Sequence, residues 1–538
     1  MGGSCGASPD GLVAAPQRIL RLTTTQIANT VRYLINDEEA QAIIAQGSEL
    51  GLPTDDTARH FPPATSEGES SFVHDGNVLR LDDLARHVGG YVTGHFAALT
   101  SCPPTDDCAA AYLARLASRA YRREATADEQ KHLSDLYGVL RRQTVAGREV
   151  TTSVEEATGY AVWALFMSPQ LVWRWEVGAQ PTSTAPSGLT DDELASLVAF
   201  FLTDSPPDEM LLAAARAGTL RTNLASHVSR ILQTPASRTW LREVMRLYFV
   251  LNYVALSPAD PTKFPVDDAL LASMAKGASL FLDDVLWNGG LGDLLLSRTG
   301  YVDARLAEII YGIPAPVGAA PTDFVKVSLP ADQRAGILTN PGFLAALSRA
   351  DGQNLGNRAK LVGAIFFCSV PPPHPEVSFP TTFLAHFNEQ TGQEQAAARA
   401  AGDDCKACHP SWDAYGLPLE RYDAVGRYRT TYDYLGGKAI DGTGILPAEV
   451  GGQTVHDAIE LAQVLATGPS FTECIAGAML QYALTDLSTV VTVPSSRGPG
   501  ACAVADVVER YRKGPQTFSG MVSAVASSST FTARKAAP

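Results

Sequence analysis

The chain has 538 residues, past the size at which one hydrophobic core keeps growing, so several domains are expected. Hydrophobic residues make up 45% and charged residues 18%, which excludes a disordered or collagen-like chain. Lys and Arg total 42 against 57 Asp and Glu, a net charge of -15 that argues against nucleic acid as a partner, and no apolar window reaches the roughly 18 to 20 residues of a membrane helix.

The N-terminus, Met1 to Pro9, has neither a basic nor an apolar region of the signal-peptide kind. Gly3-Ser4-Cys5 followed by small residues resembles the end of a bacterial lipoprotein signal, with Cys5 as the lipid-bearing residue. A disordered terminus with an incidental cysteine accounts for the segment equally well. The first helix is expected over about 25–36, where Thr23 and Thr24 offer caps and Ile27, Val31, Leu34 and Ile35 share a face. Residues 81–99 and 109–142 repeat that pattern, the second stretch breaking near Glu124, where Thr126 and Glu129 have capping-box spacing. Helices are also expected over 152–178, 190–204, 206–233, 236–250 and 266–296. From Pro371 to about 390 the chain is proline-rich and aperiodic, as in an extended linker. Beyond it a small hairpin is expected over 439–447, and helices resume over 455–467, 470–486, 502–513 and 517–527. The expected fold is mainly α. It divides into a flexible 1–17, helical domains over 18–150 and 151–370, the 371–390 linker, a compact unit over 391–450 and a C-terminal helical domain over 451–538.

The eight cysteines are too few for a disulfide scaffold, so their placement carries the information. Cys102 and Cys108 close a loop of prolines and aspartates between two helices, a plausible disulfide. Cys474 and Cys502 flank a connection between C-terminal helices and form a second expected pair. Cys368, ending an apolar run, is expected as a buried free thiol. Such pairs favour an oxidising compartment.

Cys405-Lys406-Ala407-Cys408-His409 is the C-x-x-C-H attachment signature of c-type haem. Two thiols one helical turn apart can form thioethers with the two vinyl groups of one porphyrin, and the adjacent His409 then meets the iron as proximal ligand. A zinc half-site is the main alternative, but it needs two further ligands and no second C-x-x-C exists. A thioredoxin-like redox pair lacks its βαβ context. For a distal ligand the sequence offers Met479 and His386, with Met521, His374 and His456 as further choices. Met479 lies in an apolar helical stretch where core packing is the ordinary role.

The segment from Cys405 through Asp413, Gly416, Glu420, Asp423, Gly426, Arg427 and Arg429 resembles the haem-attachment segment of a family of large cytochrome-c-like proteins of planctomycetes and myxobacteria, built from several adjoining domains of unknown function. Similar boxes follow the same order elsewhere: Arg21 to Arg32, Arg119 to Glu129, Ala164 to Arg174, Arg334 to Thr339, and Arg358 to the Cys368 proline run. The chain departs from the family pattern at Trp412, at Ala414 and at Glu124-Ala125. The resemblance implies one covalent haem c held by Cys405, Cys408 and His409. Asp413, Glu420, Asp423, Arg427 and Arg429 read either as a catalytic cluster or as a hydrogen-bonded loop whose arginines, Arg427 and Arg429, neutralise haem propionates. The loop is the better fit.

The expected function is that of a secreted or lipid-anchored bacterial monohaem c-type protein, periplasmic or on the outer envelope, carrying out electron transfer or a haem-linked oxidation with a redox partner the sequence does not name. The rival is a haem-free envelope binding or scaffolding protein with a structural C-x-x-C-H unit. It rests on disproportion, since about 370 residues without a chemical motif precede one small site.

Overall fold

Side chains set the helix starts locally. Thr23, Thr126, Ser153, Thr190 and Thr391 each accept a hydrogen bond from the backbone three residues on, and the Gln or Glu at that position bonds back, closing five capping boxes. In the computed structural model of the protein, the described residues are 14–46, 75–145, 147–350, 352, 354–369, 389–402, 405–406, 408–484 and 500–536. Over these the fold is mainly α with short two-residue to four-residue strands. The Cys5 segment, the Pro371 linker as far as 388, His374 and His386 lie outside the described residues.

Several boundaries differ from the sequence reading, each for a local reason. The stretch 206–233 is two helices, Glu209–Arg216 and Leu224–Leu232, parted where Gly218 takes a φ of +64°. The helix Val154–Phe166 ends before Ser168-Pro169, where Pro169 opens a new short turn, and Trp173–Glu176 becomes a strand antiparallel to Arg18–Arg21. The hairpin expected over 439–447 is instead two ribbons: Lys438–Ala439 pairs back with Thr431–Tyr432, and Gly444–Ile445 pairs forward with Thr454–Val455. An unforeseen hairpin joins Arg142–Val145 to Arg148–Thr151.

Among the described residues three cores hold the helices. One gathers Ile27, Val88, Leu113, Val162 and their neighbours from the first 200 residues. The largest draws together Leu194, Phe249, Phe366, Tyr415, Leu461, Met479 and Phe518, side chains distant in sequence. A smaller third core surrounds Met274, Val302 and Ile310. Among the described residues no helix is long and apolar enough to cross a membrane.

A three-stranded sheet ties distant segments together: Ala533–Lys535 lies between Ala15–Pro16, parallel to it, and Ser187–Gly188, antiparallel to it. Beneath it Glu176, 1% exposed at its side chain, is ringed by Arg18 at 2.6 Å, Arg174 at 3.2 Å and a short contact to Arg534. Burial alone would raise the Glu176 pKa, but the three guanidinium charges outweigh it and hold the carboxyl at about 2.

The cysteine assignments require two corrections. Cys102 and Cys108 are disulfide-bonded, but Cys474 pairs with Cys368 across 106 residues, with the Cα atoms 5.4 Å apart. Cys368 is therefore no free thiol, and Cys502 is disulfide-bonded but not to Cys474. The reason is tertiary: the helix Leu355–Phe366 packs on Ser470–Leu484, so Cys368 at the end of one meets the buried Cys474 of the other. Disulfides at these positions fit a non-reducing environment.

Candidate functional site

The motif is built as a helical turn. Cys405 and Lys406 donate their amides to Gly402 O at 3.0 and 2.8 Å, and His409 N bonds Cys405 O at 3.1 Å, carrying the turn into the helix His409–Gly416. Cys405 and Cys408 are both half-buried and both free thiols, bonded neither to each other nor to another cysteine. His409 is 19% exposed at its side chain.

One turn on, Asp413 is 2% exposed, and its Oδ1 lies 3.2 Å from His409 Nδ1. Arg399, 5% exposed on the helix Gly392–Ala401, donates Nε–H to Asp413 Oδ2 at 2.8 Å. A carboxylate beside Nδ1 places the imidazole proton there and makes Nε2 the lone-pair nitrogen, the tautomer a metal-ligating histidine requires. The donor set therefore fits a c-type haem: two unbridged thiols on one turn and an adjacent imidazole oriented by a buried carboxylate. Among the described residues no group of three or more His, Cys, Asp or Glu side chains is placed to hold a metal ion by itself.

The site rests on the helix Leu355–Phe366. A Cβ on Gly363 would fall 2.6 Å from Trp412 Cζ3, 3.2 Å from Tyr415 and 3.2 Å from Ser369 O, so only glycine admits this approach. Trp412 meets Tyr415 edge-on, with ring centroids 5.7 Å apart, and Tyr415 packs on Phe367 at 4.8 Å. Burial pushes the Tyr415 phenol up to about 12. From the same helix the fully buried Arg358 donates to the carbonyls of Leu419 at 2.9 Å, Tyr422 at 2.6 Å and Asp423 at 2.7 Å, fixing the chain that leaves the motif helix. Desolvation lowers the Arg358 pKa to about 10.

The carboxylates and arginines after the motif form a braced loop. Asp423 accepts from the amides of Val425 and Arg427 at 3.0 and 2.9 Å and from Arg427 Nε at 2.7 Å, while Gly426 supplies the turn with a φ of +81°. Arg429 lies over the rings of Tyr432 and Tyr434, and Glu420, 1% exposed, accepts from Tyr432 Oη at 2.9 Å. Arg427 and Arg429 thus make their described contacts to this loop. Met479 is fully buried in the largest core, His456 bonds Glu460 at 2.8 Å on the surface, and His386 lies outside the described residues.

Sequence reasoning missed Arg399. Its helix is signalled by the Thr391 to Glu394 capping box, but nothing in the pattern says that this arginine meets a carboxylate 14 residues later.

Two family models match the chain. PSD4, described as a protein of unknown function (DUF1592), matches residues 189–313. PSCyt3, described as a protein of unknown function (DUF1588), matches residues 334–432, a stretch that contains Arg358, Cys405, Cys408, His409, Asp413 and Arg429. The two matches follow one another in the chain, separated by residues 314–333, which supports a chain of several domains of unknown function. No curated protein and no solved structure matches the chain.

Proposed function

We propose that this chain is a monohaem c-type protein of the bacterial cell envelope that carries out electron transfer or a haem-linked oxidation. The observation that carries the reading is the donor set: Cys405 and Cys408 free on one turn, with His409 held through Nδ1 by buried Asp413. Cys405 and Cys408 tether the porphyrin, His409 ligates through Nε2, and Asp413 keeps the proton at Nδ1. Arg429 and the 37%-exposed Arg427 are the cations we assign to the propionates, Arg427 being shared there with Asp423. When bound, the haem supplies one-electron redox chemistry at its iron, while the protein supplies position, axial ligation and a low-dielectric wall of aromatic side chains. The disulfides accord with residence outside the cytoplasm.

The test is a pyridine haemochrome spectrum of full-length protein made with the c-type maturation apparatus. We expect one haem per chain, lost in C405S/C408S. Protein that leaves such a preparation without an α-band refutes the reading. Carbon monoxide binding to the ferrous form then distinguishes an open sixth position, required for an oxidation at the iron, from a closed one suited to electron transfer alone.

A second reading, a binding protein whose helical body does the work, has one observation in its favour. A cavity of about 470 Å³ opens between residues 121–123, 170–175 and 190–196, with Trp175, itself 47% exposed, on its wall beside Arg123, Gln170 and Asp192.

A further inference from the structure

We infer that Asp413 and Arg399 are opposed positioning residues that set the reduction potential at His409, Asp413 lowering it and Arg399 limiting how far it falls. This inference rests on the haem reading above. To hold one imidazole tautomer a neutral backbone carbonyl is enough, and it carries no charge to desolvate. Here the chain instead buries an ionisable carboxylate, 2% exposed and 3.2 Å from Nδ1, whose other oxygen is paired with Arg399. Fixing the ring does not require a charge. What the carboxylate adds is negative charge on the Nδ1 side of the ring.

That charge acts on the couple in a definite direction. Ferric iron carries one more positive charge than ferrous iron, so an anion hydrogen-bonded to the proximal imidazole favours the oxidised form and lowers the potential. Hydrogen bonds to a ligand and burial of the site are the protein's levers on a haem. Arg399 occupies the other carboxylate oxygen, with Nε 2.8 Å from Oδ2 and its side chain only 6% exposed, so water screens this pair little. Its positive charge draws density from Asp413 and weakens the acceptor at Nδ1. The two residues lie on two helices, Arg399 bonding Asp413 and Asp413 bonding His409, and their effects have opposite sign.

The experiment is redox potentiometry on the haem-loaded full chain. D413N keeps the size and an acceptor oxygen but removes the charge. We expect the ferrous form to gain about tenfold, an upward shift of about 59 mV for one electron. R399Q leaves the carboxylate without its cation and shifts the potential down, while R399K restores the charge and returns the potential toward wild type. General loosening of the site cannot produce shifts of opposite sign with conservative rescue. If D413N does not accumulate as folded protein, the sign of R399Q and its rescue by R399K decide the matter. Attached haem whose potential moves by less than twofold in equilibrium, or in one direction for both D413N and R399Q, overturns this inference and leaves the haem reading standing. Protein that carries no haem overturns the reading and this inference with it.

Discussion

Glu176 is the single residue whose removal should reach furthest through the fold. Its carboxylate joins Arg18, directly across the ribbon, and Arg174, two residues back on its own strand, to Arg534 in the strand Ala533–Lys535, and all four side chains are at least 86% buried. At an effective dielectric constant near 20, each guanidinium at about 4 Å contributes about 4 kcal/mol of attraction, set against the desolvation of every charge. E176Q preserves shape but leaves three buried arginines facing one another, and breaking a buried network from one side costs about 3–5 kcal/mol. At roughly 2–4 °C per kcal/mol for a unit of this kind, the thermal midpoint should fall by about 6–20 °C. Circular dichroism melts at pH 7, alongside an exposed-pair control such as K131Q, measure the difference. The pH dependence supplies a second check. The Glu176 pKa is depressed from its ordinary 4.5 to about 2, so its stabilisation is complete above pH 4.5 and is lost as pH falls toward 2. Wild type should therefore lose stability across that window more steeply than E176Q. A variant within about 1 kcal/mol of wild type at pH 7 refutes the view that this cluster secures the structure.

Two further outcomes follow from the packing around the motif. C474S opens the 106-residue loop closed by Cys368, and the chain-entropy argument gives a loss of about 2–5 kcal/mol, measurable by urea titration, with the Cys368 to Cys474 peptide absent from a non-reducing digest. G363A forces a Cβ against Trp412 and Ser369 O; we expect a cost of about 1–3 kcal/mol together with a reduced haem content per chain, whereas unchanged stability and loading would show that the two helices have room to part.

What could be read from the residues was local. The Thr126 to Glu129 capping box, the face shared by Ile27, Val31 and Leu34, and the short loop between Cys102 and Cys108 are encoded within a few positions and appear as helix and loop in the structure. The spacing of Cys405, Cys408 and His409 likewise implies a turn, and the turn is present. Contacts made by packing were not legible. Cys474 is nearer in sequence to Cys502, but helix-on-helix packing brings it to Cys368. Asp413 invited an assignment to the loop arginines that follow it, yet its partner is Arg399, upstream and on another helix. The hairpin at 142–151 carries no sequence signal, because its strands are short and largely exposed, with no apolar alternation to mark them.

The sheet that places Ala533–Lys535 between Ala15–Pro16 and Ser187–Gly188 also orders events in time. A chain emerging from its N-terminus can assemble the core around Ile27 and Val162 early, because those contacts close within the first 200 residues. The slot beside Ala15 stays open until the residues near 533 arrive, and until then Glu176 lacks one of its three cations. Cys405 and Cys408 lie well upstream of Ala533, so their thiols emerge before this strand can dock. A chain that lacks Arg534 leaves both the sheet edge and the Glu176 cluster unfinished.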